Sequence, residues 1–360
     1  MNLYRQIHTG LTSILSKGLT GCQARHLNTL VGIVYGLVKG KDVRLSSIAG
    51  EQPNAGKEES RIMQLRRLLA NSALEWPVYY LPFILAVLES VAVAGQPLVL
   101  AVDGSTTGRG CVTLMASVVY RGRALPLVWL THKGKKGHFP QTLHVELVKA
   151  VQAIVPAGRE VVVLGDGEFD GTGWLAAIES RGWRYVCRTA KDSVFYEGED
   201  DFKIQDICPR RGGCTGIPGV RFTAGRYGPV TAVAWWGKGY LEPIYLVSNF
   251  TLPQEARLYY RKRFRIETMF SDFKGRGFQL QKSGLRAPER VSRLLIAVSL
   301  AYLWHVFLGV YAIKTGWDKI VHRTDRCDLS LFGLGKRLLK RFLTNGIPLP
   351  LFCLFLIVKT

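Results

Sequence analysis

The sequence predicts an α/β protein: a mixed sheet flanked by helices, interrupted by a small β insertion and preceded by a helical N-terminal domain. Three observations carry that expectation. Apolar residues recur at helical spacing within residues 1–95. The period then changes to short β-branched runs alternating with helices, in the order β-β-β-α-β-α-β. A glycine-rich stretch of short alternating pieces follows, and helical patterns return beyond it.

In the first block, Leu27, Leu30, Val31, Val34, Leu37 and Val38 mark one helix. Ile62, Leu65, Leu68 and Leu69 mark another, with Arg61, Arg66 and Arg67 beside them. The short piece from Leu45 to Ala49, a Pro/Gly-containing turn and the arginine-bearing helix have the order of a helix-turn-helix reader. Residues 1–95 are therefore expected to bind DNA, with Arg61, Arg66 and Arg67 as contacts.

Residues 96–190 read as the first part of the core. An apolar run over 98–102 stops at Asp103-Gly104-Ser105, and strands over 112–120 and 124–130 flank the turn Arg121-Gly122-Arg123. A helix over 140–154 leads to a second apolar run over 161–164, which stops at Gly165-Asp166-Gly167. A helix near 172–181, with Asp170 placed to cap it, and a strand near 184–188 complete this part. Residues 191–247 are the expected β insertion. Residues 248–316 form the second part of the core, where Pro253 opens a long helix that Gly275 and Gly277 close. The mostly apolar run over 294–313 has the length of a membrane span. Its Ser299, His305 and Gly309, and the lack of a second convincing span, favour a buried core helix instead. Residues 317–360 remain as a basic C-terminal segment, a candidate for dimerisation or DNA contact.

Composition narrows the function. The 48 Lys+Arg against 27 Asp+Glu give a formal charge of +21, yet 48% of residues are hydrophobic and the mean hydropathy is +0.10. A disordered basic tail would lack that apolar content. A well-packed basic protein is suited to polyanions, nucleic acid first. The charge is uneven: net +13 falls in residues 251–360, against +4 in each of the two preceding blocks. Seven scattered cysteines fit a reducing compartment. Cys208 and Cys214 are spaced too loosely for the usual zinc pattern. The polar start MNLYRQIHTGLTS has no apolar signal core, so a cytoplasmic, nucleoid-associated protein is expected.

Chemistry concentrates on three acids. Asp103 and Asp166 each sit where an apolar run gives way to glycine. On neighbouring strands they would stand side by side, and paired hard oxygen ligands suit Mg²⁺ or Mn²⁺. On the expected helix beyond Pro253, residues Tyr260, Arg263, Glu267 and Lys274 fall within about 60° of one another at about 100° per residue. One carboxylate among cations can complete a metal site, while the cations hold phosphates. Lys135 and Lys136, with Lys133 and His138, form a basic loop after a strand and are further DNA-contact candidates.

The spacing Tyr260-x2-Arg263-x3-Glu267-x6-Lys274 resembles the Y-R-E-K signature of bacterial insertion-sequence transposases of the DDE class, insertion-sequence family four. Asp103 in LAVDGS and Asp166 in LGDGEFD resemble that family's first two acids, and the order of elements resembles its RNase H-like core. The resemblance covers about residues 95–315. It implies cut-and-paste DNA transposition with two Mg²⁺ or Mn²⁺ ions held by Asp103, Asp166 and Glu267, Asp103 bridging both. It further implies Tyr260, Arg263 and Lys274 on the DNA strand, a hairpin intermediate, and Trp235 or Trp236 stacked on a flipped base. Partners would be the double-stranded inverted repeats and target DNA, with a homodimer in the DNA complex and no membrane. The rival readings are another RNase H-like nuclease or resolvase, and an inactive DNA-binding remnant.

Overall fold

The computed structural model describes residues 3–15, 19, 21–53, 56–91, 95–135, 137, 139–326 and 328–350. Helices α1 (Leu3–Leu15), α2 (Cys22–Gly40), α3 (Leu45–Glu51), α4 (Glu58–Ala70), α5 (Trp76–Tyr79) and α6 (Leu81–Val91) precede the sheet. The six apolar positions expected on α2 are all buried. Each such side chain contributes about 1.5–3 kcal/mol when removed from water. Gly36 lets α3 pack directly on α2, since a Cβ there would lie 2.9 Å from the Ile48 carbonyl.

The core then follows as β1 (Leu98–Gly108), β2 (Cys111–Tyr120), β3 (Arg123–Lys133), α7 (Gln141–Gln152), β4 (Val161–Gly165), α8 (Thr172–Glu179) and β5 (Arg184–Arg188). β2 lies antiparallel between β1 and β3, whereas β1, β4 and β5 run parallel. The order β3-β2-β1-β4-β5 is the RNase H-like arrangement. Side chains alternate across it, as strand geometry demands. Val162 and Leu164 belong to one apolar cluster, with Ala256 and Tyr260, and Val161 and Val163 belong to the other.

Beyond β5 come β6 (Val194–Glu197), β7 (Asp200–Lys203), β8 (Cys214–Phe222), β9 (Tyr227–Trp235) and β10 (Ile244–Ser248). The insertion is not a separate small sheet. β10 pairs antiparallel with β5 on one side and β9 on the other, so all ten strands form one sheet in the order β3-β2-β1-β4-β5-β10-β9-β8-β6-β7. Tyr185 and Asn249 close the junction, the Tyr185 amide donating to Asn249 Oδ1 at 2.8 Å.

Helices α9 (Pro253–Tyr260), α10 (Arg265–Phe273), α11 (Pro288–Lys314), α12 (Asp318–Val321) and α13 (Leu331–Thr344) complete the chain. α11 is long and apolar enough to cross a membrane, but 94% of its apolar window is buried inside the protein. It packs on α13, α2 and β3. α13 is part of that core rather than a detached segment: Gly335 sits against the His305 carbonyl and Gly309 against the Leu331 carbonyl. No side chain larger than hydrogen fits at either contact. The expected dimerisation or DNA-contact segment 317–360 thus has an inner face already buried on α11, and its last ten residues lie outside the described residues.

Three local expectations are corrected. Asp103 does not end a strand: β1 continues to Gly108 as one arm of the β1–β2 hairpin. What stops after Ala101 is only the pairing with β4, which opens one side of β1 at the aspartate. The helix from Pro253 is not continuous. Residues 261–264 tighten into turns, with Arg263 N bonded to Tyr260 O and Ile266 N to Arg263 O, giving an elbow between α9 and α10. No proline or glycine lies within residues 261–264 to mark that elbow in the sequence. Asp170 does not cap α8: Gly171 is the N-cap residue, and Asp170 Oδ2 accepts instead from Thr189 Oγ1 at 2.7 Å.

Candidate active site

Two sheet residues anchor the site. β1 and β4 pair from Leu98 opposite Val161 to Ala101 opposite Leu164, and continuing that register sets Asp103 level with Asp166. Neighbouring strands lie about 4.8 Å apart. Asp103 is only 3% exposed, and its Oδ1 accepts from the Gly104 amide at 2.7 Å. Asp166 is half-buried just past β4, and its Oδ1 accepts from the Glu168 amide at 3.1 Å.

The neighbouring glycines are there for aromatic packing. A Cβ at Gly104 would lie 2.4 Å from the Phe139 ring, and one at Gly165 would lie 2.5 Å from Phe169 Cβ. Phe139, Phe169 and Trp174 surround His144, with ring centroids 4.7 Å apart for His144 and Phe169. Burial holds His144 down at about 4, against a smaller opposing pull from Asp166, so this histidine is a neutral wall behind the site. Glu168 bonds the Phe139 amide at 3.0 Å and fixes the loop that carries that ring.

Glu267 comes from the first turn of α10. It lines two adjoining pockets. One is shared with Asp103, Ser105, Lys274 and Arg276, and the other with Asp166, Asp170, Arg188, Lys191, Glu242 and Arg263. Glu267 therefore stands at the wall between the two aspartates. Arg263, with its side chain 13% exposed, donates to Glu267 Oε1. Burial opposes the charge on Arg263, but Tyr260, Glu267 and Asp103 outweigh it and hold the guanidinium ionised. Its Nη1 is buried and has no hydrogen-bond partner. Tyr260 is buried, with Arg263 over its ring at 5.9 Å, and burial pushes its phenol up to about 12. Lys274 follows α10 directly and lines the Asp103 pocket.

The elbow thus brings Asp103, Asp166, Glu267, Tyr260, Arg263 and Lys274 to one region even though the helix is broken. Among the described residues, no three carboxylate, histidine or cysteine side chains already form a metal-holding group. Other candidates separate. Trp235 is buried in the β insertion, edge-on to Tyr240 with centroids 5.1 Å apart. Trp236 is half-buried, its Nε1 donating to the Tyr240 carbonyl at 3.1 Å. Lys135 is exposed after β3, whereas Lys136 and His138 lie outside the described residues. Arg66 and Arg67 are exposed on α4, whereas Arg61 is half-buried and donates to the Gln52 carbonyl at 3.1 Å, bracing the turn before α4.

Four charged residues at the site were not among the sequence candidates: Arg188, Lys191 and Glu242 beside Asp166, and Arg276 beside Asp103. Arg188 had a readable signal, because it ends β5 as Asp166 follows β4, both at the same rim. Glu242 had none, since its place depends on β10 joining the sheet.

The family described as Transposase DDE domain matches residues 94–304, more than half of the chain. Comparison with curated proteins finds no match. Among solved structures, a cryo-EM structure of a piggyBac transposase synaptic complex with hairpin DNA is similar over 98% of this chain and 81% of that one. The identity is 13% and the TM-score 0.45. On that family match, and with the RNase H-like order of its first five strands, the chain belongs to the DDE transposase family.

Proposed function

We propose that this protein cuts transposon ends and joins them to target DNA, with Asp103, Asp166 and Glu267 as the acids of one phosphoryl-transfer site. The observation that carries the reading is Glu267 lining both the Asp103 pocket and the Asp166 pocket. The reading includes insertion-sequence family four, on the Tyr260, Arg263, Glu267 and Lys274 spacing.

The donor set fits Mg²⁺ or Mn²⁺: three hard carboxylates, two on a rigid sheet and one on a helix. Asp103, Asp166 and Glu267 would hold two such ions. When bound, the ions activate a water or 3′-hydroxyl and stabilise the leaving oxygen. The chain's own groups bind and orient the strand. Arg263 steadies Glu267 through one nitrogen, and its side chain lines the Asp166 pocket, where the positive charge favours a bound phosphate. Lys274 and Arg276 face one pocket, and Arg188 and Lys191 the other, so cations flank the acids on both sides. Tyr260 stays neutral at physiological pH and packs against Arg263. Trp236, the more exposed of the tryptophan pair, is the one suited to stack on a flipped base of a hairpin intermediate. Arg66 and Arg67 on α4 supply phosphate contacts for end binding, and a homodimer joins two ends.

The deciding experiment incubates the element's own ends and a supercoiled plasmid with Mg²⁺ and either wild type or Glu267→Gln. Nicked, hairpin and joined products are expected from wild type alone. Equal activity in both proteins would overturn the assignment, and cleavage without joining would make the enzyme a nuclease.

A further inference from the structure

Behind the elbow lies a second groove, of about 690 Å³, that shares no residue with either acid pocket. Arg261, Lys262 and Arg265 line it from the elbow, and Arg121 from the β2–β3 turn. Its apolar floor includes Val99 and Val119. All four cations are exposed, and among the described residues no carboxylate lies within ion-pair distance of any of them. Like charges so placed repel one another, so the cluster favours a bound polyanion. The cations are positioned all the same. Arg121 lies 5.4 Å from the Tyr120 ring centroid, Lys262 lies 4.8 Å from that of Tyr259, and Arg265 rests on Gly122.

Arg121 is itself informative. Arg121 and Gly122 have φ of 44° and 74°, the left-handed pair of a two-residue hairpin turn. Asparagine is the residue that suits the first of these positions. An arginine there places a cation at the groove in spite of the turn's preference.

We propose that this groove holds the phosphate backbone of the target duplex, separately from the strand at the acids. The inference rests on the transposase reading above. Its polar lining is four cations with Gln96 and Tyr120, which suits contact with phosphates and not sequence reading. Sequence-reading chemistry lies elsewhere: Arg25, Asn28, Thr29, Gln52 and Gln64 line a groove between α2 and α4. A target of unrelated sequence therefore fits the cationic groove, and the element's own end fits the amide-lined one.

The test uses the full chain carrying Arg121→Asn, Arg261→Gln and Lys262→Gln together. On a labelled duplex of unrelated sequence, affinity should fall about tenfold or more, and the slope of log affinity against log salt should drop by about 3, near 0.9 per lost phosphate contact. Joining to a plasmid should fall in parallel while cleavage of the element's ends is unchanged. An unchanged slope, or cleavage falling together with joining, overturns the proposal. Arg121→Asn alone suits the turn, so its thermal unfolding should be no lower than wild type while its slope drops by about 1. A full slope in that variant also counts against the groove. If wild type fails to cleave its ends, the transposase reading fails, and the slope measurement still tests the groove.

Discussion

The two sides of the elbow between α9 and α10 carry charge on opposite terms. On the inner side Arg263 is nearly enclosed and bonded to Glu267. On the outer side Arg261, Lys262 and Arg265 stand in solvent, with no carboxylate among the described residues paired to them. A buried charge has to be paired, because desolvation penalises it heavily. An exposed one can stay unpaired, because water screens it. Where a basic protein leaves its charge uncompensated therefore separates surface available to a polyanion from charge committed to the protein's own acids.

The contrast can be broken most severely at the acids. Asp103→Asn, Asp166→Asn or Glu267→Gln should each reduce end cleavage to background in a Mg²⁺ gel assay, and retained activity in any one would remove that residue from the site. Arg263→Ala should lower kcat by about 10²–10³-fold, with Arg263→Lys recovering part of it, since a lysine keeps the charge but not the fork. A change confined to KM would instead make Arg263 a binding residue only. The insertion offers the same inner-against-outer comparison. Trp235→Ala should destabilise the protein by about 3–5 kcal/mol in urea titration, and Trp236→Ala by about 1 kcal/mol or less. Similar losses at both would place Trp236 in the core as well.

A smaller effect concerns a carboxylate that faces inward without a close partner. Asp272 on α10 is 2% exposed, Oδ2 has no hydrogen bond, and burial lifts its pKa to about 6 against the pull of Arg123, Arg276 and Lys336. In the unfolded chain it titrates near 3.8. The folded form therefore holds a proton that the unfolded form has lost between those values. Stability should fall by about 1–3 kcal/mol as pH rises from about 4 to about 6, then level off. Asp272→Asn should lack this fall in denaturation curves taken across that range. Smallest of all, Lys262→Gln alone should change stability by less than about 0.5 kcal/mol, as expected for an exposed cation without an ion pair.

Much of the core was readable because its signals are local. Continuous apolar and β-branched runs located β1 to β5, and the D-G and G-D pairs located the aspartates that the register sets level. Signature spacing picked out Tyr260, Arg263, Glu267 and Lys274, although angles drawn on a continuous helix do not apply across the 261–264 turns. Long-range pairing was invisible. Nothing in residues 244–248 announces that they bond to β5, so the insertion looked detached and Glu242 went unnoticed. Nor does the sequence of α13 declare that Gly335 touches the His305 carbonyl, a contact made thirty residues away along the chain.

The pairing of β10 with β5 has a mechanical consequence. Because a ladder of backbone bonds joins the insertion to the strand beside Asp166, the span from Trp236 to the acids is set by rungs of sheet and not by a hinge. The insertion acts as a fixed jig. That ladder opposes a swing of the insertion, so under the transposase reading proposed above a nucleotide that stacks on Trp236 is brought there by distortion of the DNA, and the work of that distortion falls on the nucleic acid.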